Sequence, residues 1–156
     1  MPNSRTKGAA YERDVRTRLE AELGMRFERV LAQTREVGLP DLVCEDVSFP
    51  FVIECKRYKT TSAFADPKWW TQACEAAEKA GKYPALVYKG DRLEERWRIP
   101  IQCLVNLSSY KPAMDKAEQY DWFYACELSF DDFCMVVREL LSLCHHWLRR
   151  RTVKTS

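Results

Sequence analysis

The sequence predicts an α/β fold in which helices pack on a β-sheet. Three observations predict it: a helical apolar pattern over residues 9–23, two strand-like runs joined by a short turn within residues 42–56, and a broad apolar helix after Ser129. The chain has 156 residues, 46% of them hydrophobic, which is enough to bury a core. We therefore expect a single folded domain.

The first part of the chain alternates helix, strand and turn. Residues 1–8 are polar and are expected to form a flexible arm. A helix is predicted from Ala9 to Leu23, and Glu12 flanks its apolar stripe. The stripe consists of Tyr11, Val15, Leu19 and Leu23. Residues 25–33 are predicted as a strand and residues 34–40 as a turn.

The stretch GLPDLVCEDVSFPFVIECK, residues 38–56, predicts a hairpin of two antiparallel strands. Side chains in a strand alternate between faces, so Glu54 and Lys56 share one face while Ile53 and Cys55 take the other. The turn after residues 42–47 would bring Asp41 beside Glu54. Two carboxylates and one ammonium together form a candidate hydrolytic site.

The second helix has clear end signals, with Asp66 as its cap and Gly81 after its last residue. We expect it over residues 68–80, with Gln72 at the edge of the face that meets a sheet. That face consists of Trp69, Ala73, Ala76 and Ala80. Core packing is the favoured role for the Trp69–Trp70 pair and base stacking the alternative, since one of two adjacent side chains must point away from the core.

Two further strands are predicted after this helix. Residues 84–89 predict a buried strand ending in Lys89, and residues 96–99 predict another strand with Arg96 and Arg98 on the solvent face. The pattern is weaker over residues 101–126. It allows a strand or short helix first, then a loop or short helix, and finally an extended segment.

The last element is predicted as a helix that begins with the pair Ser129 and Asp132. Its broad apolar face is expected to pack on the core, leaving residues 149–156 as a basic tail. The apolar face consists of Phe133, Val136, Val137, Leu140, Leu141, Cys144 and Leu148. The predicted domain thus has a core over residues 9–99 and an added C-terminal region over residues 100–148.

Composition limits the classes of function. The 25 basic residues nearly balance the 23 acidic ones, so the net charge of +2 does not by itself demand a nucleic-acid partner. The basic residues cluster near both ends and around Lys56, which suits phosphate contacts or a solvated face equally. No apolar run approaches the ~20 residues of a membrane span, and no signal peptide is evident. We expect a cytoplasmic protein of a bacterial, archaeal or virus-infected cell.

The seven cysteines are scattered and lack the CxxC spacing of a structural zinc site. We expect them to be mostly reduced and buried. Cys144, His145 and His146 are adjacent, but neighbouring helical side chains point in different directions and do not chelate one ion together.

The order of these motifs resembles the PD-(D/E)XK nuclease superfamily, and within it the archaeal-type Holliday junction resolvases. The resemblance covers about residues 7–89 and rests on the helix with Glu12 followed by GLPDLV, FVIECK, WWTQACEAA and PALVYK. It implies a restriction-endonuclease-like core, in which helices flank a mixed central β-sheet of four or five strands. A C-terminal helix is added to that core.

The resemblance also implies roles for individual residues. Asp41, Glu54 and the backbone carbonyl of Cys55 would bind Mg²⁺, with Mn²⁺ as a substitute, since Mg²⁺ prefers oxygen ligands. Lys56 would orient the attacking water or neutralise charge, Glu12 would reach the metal through water, and Gln72 would lie beside the site. The expected DNA contacts are Arg5, Lys7, Arg35, Arg57, Lys59 and Lys89.

Each motif has a simpler interpretation when taken alone. Asp41 suits a turn, Glu54 and Lys56 suit an exposed strand, and Glu12 and Gln72 suit a helix surface. The leading hypothesis is nonetheless a Mg²⁺-dependent endodeoxyribonuclease that cuts DNA, with branched DNA and Holliday junctions as candidate substrates and a homodimer as the expected assembly. The alternative is a non-catalytic DNA-binding or interaction module that retains the nuclease fold.

Overall fold

The computed structural model describes residues 4–31, 38–59, 65–105 and 124–152. In chain order its elements are α1 (Ser4–Leu23), β1 (Phe27–Arg29), β2 (Leu42–Cys44), β3 (Phe51–Tyr58), α2 (Pro67–Ala80), β4 (Tyr83–Gly90), β5 (Arg96–Pro100), α3 (Ile101–Val105), β6 (Ala125–Leu128) and α4 (Phe130–Thr152). No helix in this part of the chain is both long and apolar enough to cross a membrane.

The strands form one mixed sheet in the order β1-β2-β3-β4-β5-β6. Strands β3 and β4 pair in parallel, and every other neighbouring pair is antiparallel. Parallel neighbours need a long connection, which α2 provides. The α/β class, the mixed sheet and the hairpin of β2 and β3 are confirmed, and the sheet has six strands instead of the four or five that the resemblance implied.

Helices cover both faces of the sheet. On one face, Val15 and Leu19 of α1 and Phe133 of α4 share a core with Ile53 and Cys55 of β3. On the other face α2 packs on β3 and β4, where the clusters are Trp70 and Ala73 with Leu86 and Tyr88, and Ala76 and Ala77 with Val52. The alternation predicted for β3 is therefore confirmed, because Glu54 and Lys56 lie on the α2 face.

Several predicted boundaries need correction. Helix α1 begins at Ser4 instead of Ala9, so part of the predicted arm is helical. Strand β1 covers only Phe27–Arg29, and β2 ends at Cys44 because residues 45–48 turn toward β3. Predictions for residues 1–3, 32–37, 106–123 and 153–156 fall outside the described residues.

Helix α2 confirms its predicted end signals. The Asp66 carboxylate accepts a hydrogen bond from the Lys68 amide, and Gly81 ends the helix in the left-handed region at φ 64°. The buried stripe is shifted from the predicted one and consists of Trp70, Ala73, Ala76 and Ala77. The shift arises because Trp70 packs on β4, whereas Trp69 is half-buried beside Tyr58 of β3.

The prediction for Arg98 is wrong. Arg96 is exposed as expected, but Arg98 is 7% exposed and its guanidinium lies 5.6 Å from the centre of the Trp70 ring. It also forms an ion pair with Glu127 of β6 at 3.2 Å. The side chains of β5 alternate between faces as predicted, but α2 covers Arg98 on the face that was expected to contact solvent.

The C-terminal region adds a strand to the sheet and packs on the core. Residues 101–105 adopt the helical alternative, and β6 completes the sheet. The Ser129 hydroxyl caps α4 by accepting from the Asp132 amide at 3.1 Å, as predicted. Helix α4 continues to Thr152, so the first part of the predicted basic tail is helical.

A half-buried polar cluster joins α1 to the start of β5. The Glu95 carboxylate accepts hydrogen bonds from both terminal guanidinium nitrogens of Arg18, at 2.9 and 2.7 Å. It also accepts from the Tyr11 hydroxyl at 2.8 Å and from the Trp97 indole at 2.9 Å. Burial alone would raise the pKa of Glu95, but these donors and the Arg18 charge lower it below its usual value.

Replacing Glu95 with glutamine should destabilise the fold by about 1.5–3 kcal/mol at pH 7, because hydrogen bonds to a charged acceptor are lost. A carboxyl whose pKa is lower in the folded state contributes stability above its unfolded pKa of about 4.3, and loses it as the pH falls through the folded value. Urea unfolding at pH 7 and pH 3 measures this, with exposed Glu94→Gln as the control. An equal loss of stability at both pH values would contradict the assignment.

Candidate active site

The candidate site lies where β2 begins, beside the middle of β3. Leu42 pairs with Ile53, and the Asp41 amide donates to the Ile53 carbonyl at 3.0 Å. Two residues further along β3, the Cys55 amide donates to the Asp41 carboxylate at 2.6 Å. The Asp41 side chain thus takes the place of a backbone acceptor, which fixes its carboxylate against β3.

The same contact orients the backbone of Cys55. Within a strand, the N–H and C=O of one residue point toward the same neighbouring strand. Since the Cys55 amide points toward Asp41, its carbonyl lies on that side of β3 and not on the β4 side. The thiol of Cys55 is buried in the core under α1, and this burial raises its pKa well above the usual value.

Glu54 and Lys56 form an ion pair on the opposite face of β3. The Lys56 ammonium lies 2.7 Å from Glu54 Oε1. Glu54 and Asp41 are each only 6% exposed, so both carboxylates of the site are buried. The predicted juxtaposition of Asp41, Glu54 and Lys56 is present in the structure.

This environment disfavours the ionised form of Glu54. Burial raises the pKa of Glu54 to about 7, the Asp41 charge adds to the increase, and Lys56 opposes it. Glu12 also raises this pKa, which places its charge within electrostatic reach of the site. Two buried carboxylates close together are the electrostatic condition under which a divalent cation is stabilised.

Glu12 is held by a residue that the sequence did not single out. Its Oε2 accepts hydrogen bonds from Nε and Nη2 of Arg29 in β1, at 2.8 and 2.5 Å. Arg29 shares a strand face with the buried Phe27, and a charged residue on an inward face is a signal that could have identified it. The ion pair holds Glu12 on the β1 side of the site.

The remaining predicted residues differ in their surroundings. Gln72 is exposed on α2. Arg57 bonds the carbonyls of Tyr58 and Lys89 at 2.9 and 3.0 Å, which ties the ends of β3 and β4 together.

The other expected DNA contacts divide into three groups. Asp91 lies 2.6 Å from Arg57 and 3.9 Å from Lys7, so both cations face a carboxylate. Lys59 is exposed just beyond β3, and Lys89 is half-buried. The side chains of Arg5 and Arg35 lie outside the described part of the molecule.

The donor set suits a hard divalent cation. Among the described residues, no three His, Cys, Asp or Glu side chains converge on one point. The available oxygen donors are the carboxylates of Asp41 and Glu54 and the carbonyl of Cys55. Mg²⁺ is commonly held by one or two carboxylates and completes its shell with water and substrate phosphate, so the residues present fit it.

Two comparisons with known proteins found similarity to this chain. A family model described as "Phage putative PDDEXK endonuclease" matches residues 3–148. The fold is similar to that of Archaeoglobus fulgidus Hjc, a Holliday junction resolvase from an archaeal hyperthermophile, with a TM-score of 0.51 and 19% sequence identity. The similarity covers 82% of this chain and 95% of that one. No curated protein matches the sequence.

Proposed function

The chain belongs to the family described as phage putative PDDEXK endonuclease, and from this membership we propose that it is a Mg²⁺-dependent endodeoxyribonuclease. The observation that carries the proposal is the burial of Asp41 and Glu54 close to Lys56, where β2 begins against β3. A purely structural site would gain little from burying two carboxylates close together.

The residues of the site have different proposed roles in phosphodiester hydrolysis. Asp41, Glu54 and the Cys55 carbonyl would bind Mg²⁺, which when bound polarises the phosphoryl oxygen and lowers the pKa of a bound water. Lys56, held by Glu54 at 2.7 Å, places a cation where an attacking water is oriented or transition-state charge is neutralised. Attack by water with departure of the 3′ oxygen leaves 5′-phosphate and 3′-hydroxyl ends.

Residues around this centre have supporting roles in the proposal. Glu12, fixed by Arg29, would act through water, and Gln72 would contribute a polar group from the exposed surface of α2. The basic residues proposed to contact phosphates are Arg5, Lys7, Arg35, Arg57, Lys59 and Lys89. Lys59 is the exposed one among those whose side chains are described, whereas Arg57 also stabilises the strand ends.

The proposed substrate is DNA, with branched DNA and Holliday junctions as candidates, and the proposed location is the cytoplasm. Hjc is a Holliday junction resolvase, and its similarity to this chain is one of fold. Resolution of a symmetric four-way junction takes two sites related by a two-fold axis, so a homodimer is part of this proposal.

A gel assay with labelled junction, flap, duplex and single-stranded DNA tests the function. We expect cleavage of at least one of these substrates with Mg²⁺ or Mn²⁺ and none with EDTA. Junction cleavage by a dimer would support a resolvase, and flap or duplex cleavage by a monomer would support a nicking or trimming enzyme. Absence of metal-dependent cleavage on all four substrates would contradict the proposal.

One observation favours the alternative of a non-catalytic DNA-binding module. Lys56 already pairs with Glu54, so part of the site charge is neutralised by the protein itself. Calorimetry separates the two functions. Tight DNA binding that is indifferent to Mg²⁺, without any turnover, would favour the module.

A further inference from the structure

An aromatic surface continues the catalytic face of β3 beyond Lys56. Tyr58 follows Lys56 by two residues, so it lies on the same face, about 7 Å further along the strand. Its ring centre is 5.1 Å from that of Trp69 at the start of α2, with an angle of 51° between the rings. Both side chains are half-buried, so each keeps part of its surface open to solvent.

The two tryptophans of α2 therefore have different surroundings. Trp70 is 2% exposed and packs in the core under Arg98. Trp69 instead borders Tyr58, which also lies 6.4 Å from the ring of Tyr88 in β4. Core packing accounts for Trp70, whereas Tyr58 and Trp69 each keep part of their surface open to solvent.

A pocket with a volume of about 230 Å³ adjoins this surface at the turn between β4 and β5. It is lined by Tyr58, Arg92, Leu93, Glu94 and Arg96. Arg96 is held by the Glu127 carboxylate at 3.0 Å and keeps 49% of its side chain exposed. Two arginines against one glutamate on the lining favour a ligand that combines a flat ring with negative charge.

We propose that Tyr58, supported by Trp69, stacks on an unpaired nucleobase next to the phosphate that is cut, and that Arg92 and Arg96 contact the adjoining backbone. The proposal rests on the proposed nuclease function and narrows its substrate to DNA with an unpaired nucleotide at the cleavage position. Every base has a flat face, so this contact is independent of sequence.

The position of Tyr58 explains why the base must be unpaired. In a continuous duplex, each base is stacked between its neighbours and its face is covered. A side chain about 7 Å from Lys56 along one strand meets a base face only if that base has left its stack. Flaps, gaps, single strands and junction centres offer such bases.

This contact is tested by a thermodynamic cycle in which Tyr58 is substituted in the protein and one base is removed from the DNA. DNA affinity is measured in EDTA for a single-stranded oligonucleotide in which one abasic nucleotide is moved through the positions around the cut. Wild type should lose ~10-fold or more in affinity when the base that contacts Tyr58 is missing. Tyr58→Leu should bind intact DNA ~10-fold more weakly than wild type does, and its affinity should not fall further on the abasic strand. Tyr58→Phe should bind both strands as wild type does.

The outcomes distinguish this inference from the function on which it rests. Equal abasic penalties in wild type and Tyr58→Leu would overturn the stacking contact and leave the nuclease proposal intact. A wild-type protein that neither binds nor cuts DNA would overturn both. Circular dichroism of each variant shows whether its fold is retained, and Tyr58→Phe keeps the ring if the leucine variant fails to fold.

Discussion

Glu54→Gln is expected to abolish DNA cleavage while the metal-free protein becomes no less stable. The variant loses a carboxylate proposed to hold Mg²⁺, whose stabilisation of transition-state charge is worth several kcal/mol, so the rate should fall by at least about 1000-fold. The free energy of unfolding should stay equal or rise, because a buried carboxylate beside Asp41 is replaced by a neutral amide of similar shape.

Single-turnover cleavage and urea unfolding at pH 8 without metal measure these two effects. Glu78→Gln is the matched control, since the same substitution is made at an exposed position on α2. We expect the control to cut at the wild-type rate and to change stability by less than about 0.5 kcal/mol. A Glu54→Gln variant that cuts normally, or that unfolds much more easily, would assign Glu54 a structural role.

Phe133→Ala is expected to destabilise the whole domain by about 3–5 kcal/mol, a large part of a typical stability of about 5–15 kcal/mol. Phe133 is completely buried, and its ring centre lies 4.2 Å from Trp97 of β5 and 5.2 Å from Phe51 of β3. Its removal leaves a cavity between α4 and the strand that carries Glu54.

Urea unfolding followed by circular dichroism measures the cost, with Met135→Ala on the same helix as the control. Met135 is 55% exposed, so its loss should change stability by less than about 0.5 kcal/mol. If Phe133→Ala does not fold, Phe133→Leu gives a smaller loss of the same sign. If the free energy of unfolding falls by less than about 1 kcal/mol, α4 lies outside the cooperatively folded core.

Local chemistry made much of the fold predictable. The cap at Asp66 and the glycine at Gly81 define α2 because both act within a few residues of the helix end. Alternation in β3 assigned Glu54 and Lys56 to one face for the same reason. The hairpin placed Asp41 near Glu54 because the two strands are joined by a short connection.

Features that depend on distant parts of the chain were not predictable in this way. Arg98 appeared exposed because its strand pattern contains no information about α2, which covers it. The pair of Glu12 and Arg29 joins a helix to a strand seventeen residues away, and the Glu95 carboxylate meets donors from α1 across most of the domain. Alternation identifies the two faces of a strand, and capping residues identify the ends of a helix. Only tertiary packing determines which of these faces are in contact.

The division of the chain into a core over residues 9–99 and an added C-terminal region stays a prediction. The nuclease motifs end near Lys89, so the sequence beyond it carried no resemblance. In the structure, β5, β6 and α4 contribute to the sheet and its core, and Phe133 lies in the same cluster as Ile53. The apolar face of α4 packs on the core, as its periodicity predicted.

The central claim is that Asp41 and Glu54 bind the divalent cation required for DNA cleavage. The most direct measurement is the single-turnover cleavage rate as a function of Mg²⁺ concentration for wild type and Asp41→Asn, since asparagine can still accept the Cys55 amide and preserve the fold. We predict a rate that saturates with Mg²⁺ for wild type and no cleavage for the variant. Equal rates for both proteins, or wild-type cleavage that persists in EDTA, would contradict the account.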